Sequence, residues 1–164
     1  MTFNTLSSLV SLELKRKLEK HEGLSVFAGQ RAKFEGWLKV EVCEILIQYL
    51  EDVIPERGRI DITSKDWAIE LKTMTTNYRY EGVSLKFRPI TMNVAQVCQD
   101  IEKLQNSDYR YKAVLFIVFP LRRDKKIWAV HLKKIMRSLH ELCTLEFSFS
   151  NGLPGIIYFG LVSD

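Results

Sequence analysis

An α/β domain, with a mixed central β-sheet flanked by helices, is the fold the sequence predicts, on three observations. Between Arg59 and Lys72, Ile60 and Ile62 and then Trp67, Ile69 and Leu71 alternate with polar or small residues across the turn Ser64-Lys65-Asp66, the period of two of a pair of half-buried strands. Tyr111 to Phe119 is a continuous apolar run, the mark of a strand buried on both faces. Two segments, near 31–50 and 93–105, repeat their apolar residues every three or four positions, as amphipathic helices do.

Taken in order, about Thr5 to His21 forms a first helix, with Leu6, Leu9, Val10, Leu12, Leu14 and Leu18 among lysines and glutamates and an end at Gly23. Leu24 to Gly29 reads as a connection. The segment from Arg31 to about Leu50 follows, with Phe34, Trp37, Leu38, Val42, Ile45 and Tyr49 on one side. Val53 to Glu56 is a short strand, confined by Pro55 to an edge or a strand start. After the hairpin, Thr73 to Pro89 is polar and aromatic without periodicity, and a connection of that length in a compact domain is usually functional or mobile. Asn93 caps the next helix, which presents Val94, Val97, Cys98, Ile101 and Leu104. Beyond the run ending at Pro120, a helix is expected at about Ala129 to Leu142. Strands are expected at 145–149 and 156–162, around the turn Ser150 to Gly155.

The 164 residues suit a single domain spanning 1–164, large enough to bury a core without staples. Usage is globular, at 46% hydrophobic and 27% charged, and the net charge of +4 leans towards polyanions. The three cysteines, Cys43, Cys98 and Cys143, are odd in number and widely spaced, so they read as free thiols of a reducing compartment. The start Met1-Thr2-Phe3-Asn4 has no signal-peptide pattern, and no run of about 18 apolar residues occurs. A soluble, cytoplasmic protein without membrane partners is expected.

The alternation in the hairpin gathers Asp61, Glu70 and Lys72 on the face opposite the isoleucines. Two carboxylates on neighbouring strands, about 4.8 Å apart, can share a divalent cation, and hard oxygen ligands favour Mg²⁺ or Mn²⁺ over zinc. At about 100° per residue, Glu41 falls within the stripe of Phe34, Trp37, Leu38 and Ile45, whereas Glu35 sits at its margin and Glu44 outside it. A carboxylate facing a core needs a proton, a cation or a metal; a wet helix end or a buried Lys or Arg partner would also satisfy it. Such a set suits phosphodiester hydrolysis. Metal would neutralise charge on the phosphate, and the ammonium of Lys72 would orient the attacking water or contact the phosphate.

On Asp61, on Glu70-Leu71-Lys72 and on Glu41 in Trp37-Leu38-Lys39-Val40-Glu41, the chain resembles the PD-(D/E)xK nuclease superfamily. Ile60 stands where the proline that names the motif stands in many members. The resemblance implies a three-layer restriction-endonuclease-like fold whose core, a helix, three strands, a helix and a fourth strand, covers about 31–120. It implies a nuclease acting on DNA, RNA not being excluded, with Mg²⁺ or Mn²⁺ as cofactor. Asp61, Glu70 and Glu41 would be metal ligands, with help from the Leu71 carbonyl, and Lys72 the catalytic lysine. From the second helix a polar residue is expected to support the site, with Gln96, Gln99 and Asp100 available. A homodimer would be the simplest way to cut both strands of a duplex.

Two other readings use the same residues. One is a nucleic-acid-binding or assembly module that contacts phosphates through the segment Tyr78 to Arg88, with Tyr78, Arg79, Lys86 and Arg88 as candidates. The other is a purely structural ion-pair network. The cluster Arg122 to Lys126 reads as an exposed turn or a groove floor, and Tyr109 and Tyr111 as packing residues or base-stacking ones.

Overall fold

A computed structural model describes residues 1–85 and 89–163. The chain opens with helix α1 (Phe3–Lys20), whose first turn is capped by the Thr2 side chain accepting from the Thr5 N–H. Phe3, Leu6, Val10, Leu14 and Leu18 recur every three or four residues and are all buried. The helix stops at His21, two residues before the expected Gly23. His21 also starts α2 (Glu22–Gly29), its Nδ1 accepting from the Leu24 N–H. This second helix occupies the predicted connection; at eight residues, with only Leu24 and Ala28 buried, it is too short to show a period. Helix α3 (Glu35–Leu46) is shorter than expected, because Arg31 takes a positive φ of 50° and the chain turns before Phe34.

Among the described residues six strands follow in one mixed sheet: β1 (Ile54–Arg57), β2 (Ile60–Thr63), β3 (Trp67–Thr75), β4 (Tyr111–Phe119), β5 (Leu139–Ser148) and β6 (Pro154–Val162). Their spatial order is β1-β2-β3-β4-β6-β5, and all neighbours are antiparallel except β3 and β4. That parallel pair needs a long crossover, supplied by α4 (Ile90–Gln105). Helix α5 (Lys126–Met136) joins β4 to β5.

The helices divide between the two faces of the sheet. Leu6, Val10 and Leu14 of α1, Leu24 and Ala28 of α2, and Leu38, Val42 and Ile45 of α3 share one core with Ile69, Leu71, Leu115, Ile117 and Phe159. On the other face, Val94, Val97 and Ile101 of α4 and Trp128 and Ile135 of α5 pack with Ala68, Met74, Phe116, Val118 and Tyr158. Between the layers, Ala113 to Phe119 of β4 are completely buried, as the unbroken apolar run implies. Ile60 departs from expectation: it joins the core under α4 rather than that of Ile62. Among the described residues no helix is long and apolar enough to cross a membrane.

Two predicted boundaries move for tertiary reasons. Asn93 does not cap α4 from outside; it lies fully buried in the first turn and its Nδ2 donates to the Thr75 carbonyl at the end of β3. Residues Leu139 to Leu142, expected in a helix, pair with Val162 to Gly160 and so lengthen β5. The edge of β6 supplies these residues with ladder partners that a prolonged α5 would leave unpaired.

Between Thr76 and Ser84 the chain after β3 is pinned by one side chain. The buried Arg31 guanidinium donates from Nε to the Ser84 carbonyl at 2.8 Å and from its two terminal nitrogens to the carbonyls of Thr76 and Tyr78. Burial lowers the pKa of this guanidinium. Hydrogen bonds to a charged group are worth about 1.5–3 kcal/mol each, and one buried and two part-buried carbonyls lose their donor together if it is removed. Arg31→Ala should therefore lower the urea-unfolding free energy by about 3 kcal/mol or more. Arg31→Lys should recover little of it, since one ammonium cannot span three carbonyls set by a planar fork. Equal stability of wild type and Arg31→Ala would show that the clamp carries no weight.

Candidate active site

The site is built where β2 and β3 part. Their ladder pairs Thr63 with Ala68 and Ile62 with Ile69. The next facing pair is Asp61 and Glu70, and there the main chains separate. In place of a ladder bond, the Leu71 N–H donates to Asp61 Oδ2 at 2.9 Å. Two residues further on, the Thr73 N–H donates to Glu35 Oε1 at 3.1 Å, from the first turn of α3. Two carboxylates thus cap the edge of β3 that β2 has left.

Around this fork the charges are paired. Asp61 Oδ1 is 2.8 Å from Lys39 Nζ, which also reaches Glu56 Oε1 at 2.9 Å. Glu70, with a side chain only 4% exposed, is 2.5 Å from Lys103 Nζ, and Lys103 in turn donates to the Arg59 carbonyl at 2.8 Å. Lys72 Nζ lies 3.4 Å from Asp100 Oδ2. Asp100 and Lys103 stand three residues apart on α4 and so share a face, directed at β3. Asp61 takes its cation from the layer of α3, and Glu70 from the layer of α4.

The carboxylates titrate apart. Asp61 and Glu70 lie within hydrogen-bonding reach of each other. Burial pushes both up, but at Asp61 the Lys39 ammonium and the Leu71 N–H outweigh it and hold the acid below its usual range. At Glu70 burial prevails, opposed by Lys103 and reinforced by the negative charge of Asp61, and its pKa rises to about 7. Burial also raises Asp100, against the pull of Lys72 and Lys103. Adjacent carboxylates with pKa values driven apart are a common property of catalytic or ion-binding sites.

Asp61, Glu70 and Lys72 are brought together as the alternation implies. Glu41 is not with them: its carboxylate is 2.6 Å from Lys17 Nζ on α1, and Glu44 shares the same ammonium at 2.5 Å. The inward face of α3 is centred on Leu38, Val42 and Ile45, whereas Trp37, which drew the predicted stripe towards Glu41, is half-buried and packs edge-on against His21. Glu35 stands three residues before Leu38 and seven before Val42, so it shares their face and is the acid of this helix that meets the sheet. Asp100 is the residue of the three proposed on the second helix that pairs with the site. Lys39 and Lys103 were not anticipated; a lysine on a helix flank carries no sequence mark of the carboxylate it will meet.

Of the proposed contact residues, Tyr78 is half-buried, its hydroxyl is enclosed, and its ring lies under Lys125 Nζ at 5.0 Å, packed against the α4-side core. Arg79 is exposed and lines a groove with Tyr80, Glu81, Arg122, Asp124 and Lys125. Lys86 and Arg88 lie outside the described residues. The three cysteines are free and half-buried.

Among the described residues no three His, Cys, Asp or Glu side chains are grouped to hold a metal. With Glu41 elsewhere, Asp61 and Glu70 are the two proposed ligands that remain at the fork. Two suffice for Mg²⁺, which commonly takes one or two protein carboxylates and completes its shell with water and substrate phosphate.

Glu70 also fixes a pH dependence. The folded protein keeps the Glu70 proton up to about pH 7, while the unfolded chain releases it near 4.5. Between those values the folded state binds more protons. The contribution to stability is therefore complete below about pH 4.5 and is lost as the pH rises through 7. Glu70→Gln should remove this slope, so that the wild-type-minus-mutant stability difference falls by on the order of 3 kcal/mol between pH 4 and 8 in urea titrations. Parallel pH profiles for the two proteins would contradict it.

Comparison of the chain with family models, with curated proteins and with solved structures returned no match.

Proposed function

We propose that the chain is a divalent-metal-dependent nuclease acting on DNA, built as a restriction-endonuclease-like domain of the PD-(D/E)xK kind. The observation that carries this reading is the pairing of Asp61 with Glu70 at the parting of β2 and β3, with Lys72 two residues on and facing the same helix as Glu70. The order of α3, three strands, α4 and β4 agrees with it.

Asp61 and Glu70 would hold Mg²⁺ or Mn²⁺. When bound, the metal supplies charge neutralisation at the scissile phosphate and a water acidified enough to attack it. The remaining work falls to the chain. The Leu71 N–H fixes one Asp61 oxygen, leaving the other to face the ligand once Lys39 is displaced. Asp100 steers the Lys72 ammonium, a compact charge suited to orienting a water or touching a phosphate. Glu35 ties the open edge of β3 to α3 and so keeps the strand from closing against β2. Beyond the ends of β3 and β4, Arg79, Arg122 and Lys125 add cations that a phosphate backbone can follow.

A second reading has its own observation. Asp61, Glu70 and Asp100 each already have a lysine, so the cluster is electrically complete without metal, as in a binding or assembly module that has no catalysis to perform. Incubation with DNA and Mg²⁺ or Mn²⁺ separates the two. Cleavage is expected, with Asp61→Ala and Lys72→Ala each reducing it about 100-fold or more, the scale on which one electrostatic stabiliser acts. A wild-type protein inert on single-stranded, duplex and branched DNA, and on RNA, with either metal would leave the binding module as the better description.

A further inference from the structure

The two acids assigned to metal are not equally accessible, and the difference lies in their lysines. Lys39 is shared between Asp61 and Glu56, the latter on an edge strand with its side chain 74% exposed, so Lys39 can swing towards Glu56 and still be paired. Glu70 has no such alternative. Its side chain is enclosed between β2 and β4 in a sheet covered by α4, and its cation is Lys103, 2.5 Å away. Lys103 is itself 39% exposed, on the last turns of α4, with a second contact to the Arg59 carbonyl at the start of β2. Its ammonium therefore sits at the opening over Glu70, inside a gap whose far side is the turn before Asp61.

From this geometry we infer that Lys103 is the positioning residue of the site: its ammonium holds the place of the divalent cation at Glu70 and must swing aside for that cation to bind. The inference rests on the metal-dependent reading above. In the resting protein the Lys103 ammonium lies against Glu70, which stays within reach of Asp61, so the two ligands need no rearrangement beyond its departure. A divalent ion brings a larger charge to the same oxygens and displaces the ammonium, whose long stem can carry it to solvent or towards a substrate phosphate at the mouth of the cleft. Lys72, held by Asp100 rather than by either ligand, does not have to move.

Two measurements test this without reference to cleavage. In calorimetric titrations with Mn²⁺ at pH 8, Lys103→Met should bind at least about 10-fold more tightly than wild type, because a unit positive charge a few ångströms from the ion has been removed. Conversely, Mn²⁺ should raise several-fold the rate at which an amine-acylating reagent labels Lys103 in the wild-type protein, followed by mass spectrometry, since occupancy of Glu70 by either cation excludes the other. The labelling decides the matter even if Lys103→Met fails to fold. Wild-type binding of Mn²⁺ with unchanged Lys103 labelling would overturn the placeholder and leave the nuclease reading standing. No Mn²⁺ binding by wild type at all would overturn both.

Discussion

The hydrogen bond from the Leu71 N–H to Asp61 Oδ2 is the contact on which the rest of the site depends. A strand that loses its neighbour leaves a row of N–H and C=O groups, and burying them unpaired costs roughly 1–3 kcal/mol each. Here β2 stops pairing after Ile62, yet β3 continues to Thr75 as a nearly wholly buried strand. Asp61 and Glu35 resolve the conflict by replacing two ladder acceptors with side-chain carboxylates. Two strands that would otherwise close into a plain hairpin are thereby held open, with polar side chains lining the gap.

Holding them open requires charge compensation, and the ion pairs follow from that requirement. Asp61, Glu70 and Asp100 all lie in partly or fully desolvated surroundings, and each meets an ammonium, Lys39 from α3, Lys103 from α4 and Lys72 from β3. Such clusters are poor sources of stability: apolar residues of the same volume would often do as well or better. Their presence in a sheet otherwise filled by Ile, Val, Leu and Phe is therefore not explained by stability alone. The raised pKa of Glu70 is the thermodynamic trace of that compromise.

Much of this was legible in the sequence, and the division is physical. Residues 111–119 announce their strand because both faces are buried and the composition is unmixed. The gathering of Glu70 and Lys72 on one face follows from strand geometry alone, since a period of two leaves no other arrangement. What a helix shows to a sheet is less determined. Glu35 and Glu41 stand about 120° apart around α3, so its rotation decides which of them meets the strands. The apolar stripe fixes that rotation only loosely, because a half-buried Trp37 weighs in the pattern as much as a buried Val42. The same freedom left Gln96, Gln99 and Asp100 equivalent until α4 was seated. Helix α2 and the start of β5 were hidden for a different reason: eight residues carry too little periodicity, and Leu139 to Leu142 take their state from the edge of β6 rather than from their own preference.

The seating of α4 is where fold and site become one problem. The crossover from β3 to β4 must carry the chain back along the sheet, and it is anchored at both ends: Asn93 donates to the Thr75 carbonyl where β3 finishes, and Lys112 donates to the Gln105 carbonyl where the helix hands over to β4. Between these anchors Val94, Val97, Ile101 and Leu104 bury one side of the helix and fix its rotation. Asp100 and Lys103 flank Ile101 and Leu104 in the chain, so once those apolar residues are buried the two charges have only the margin of the contact left to them. That margin lies over Lys72 and Glu70 because β2 has withdrawn and left the neighbouring part of β3 uncovered. The apolar pattern of one helix and the early end of one strand together bring four charged residues to one place, and neither would do so alone.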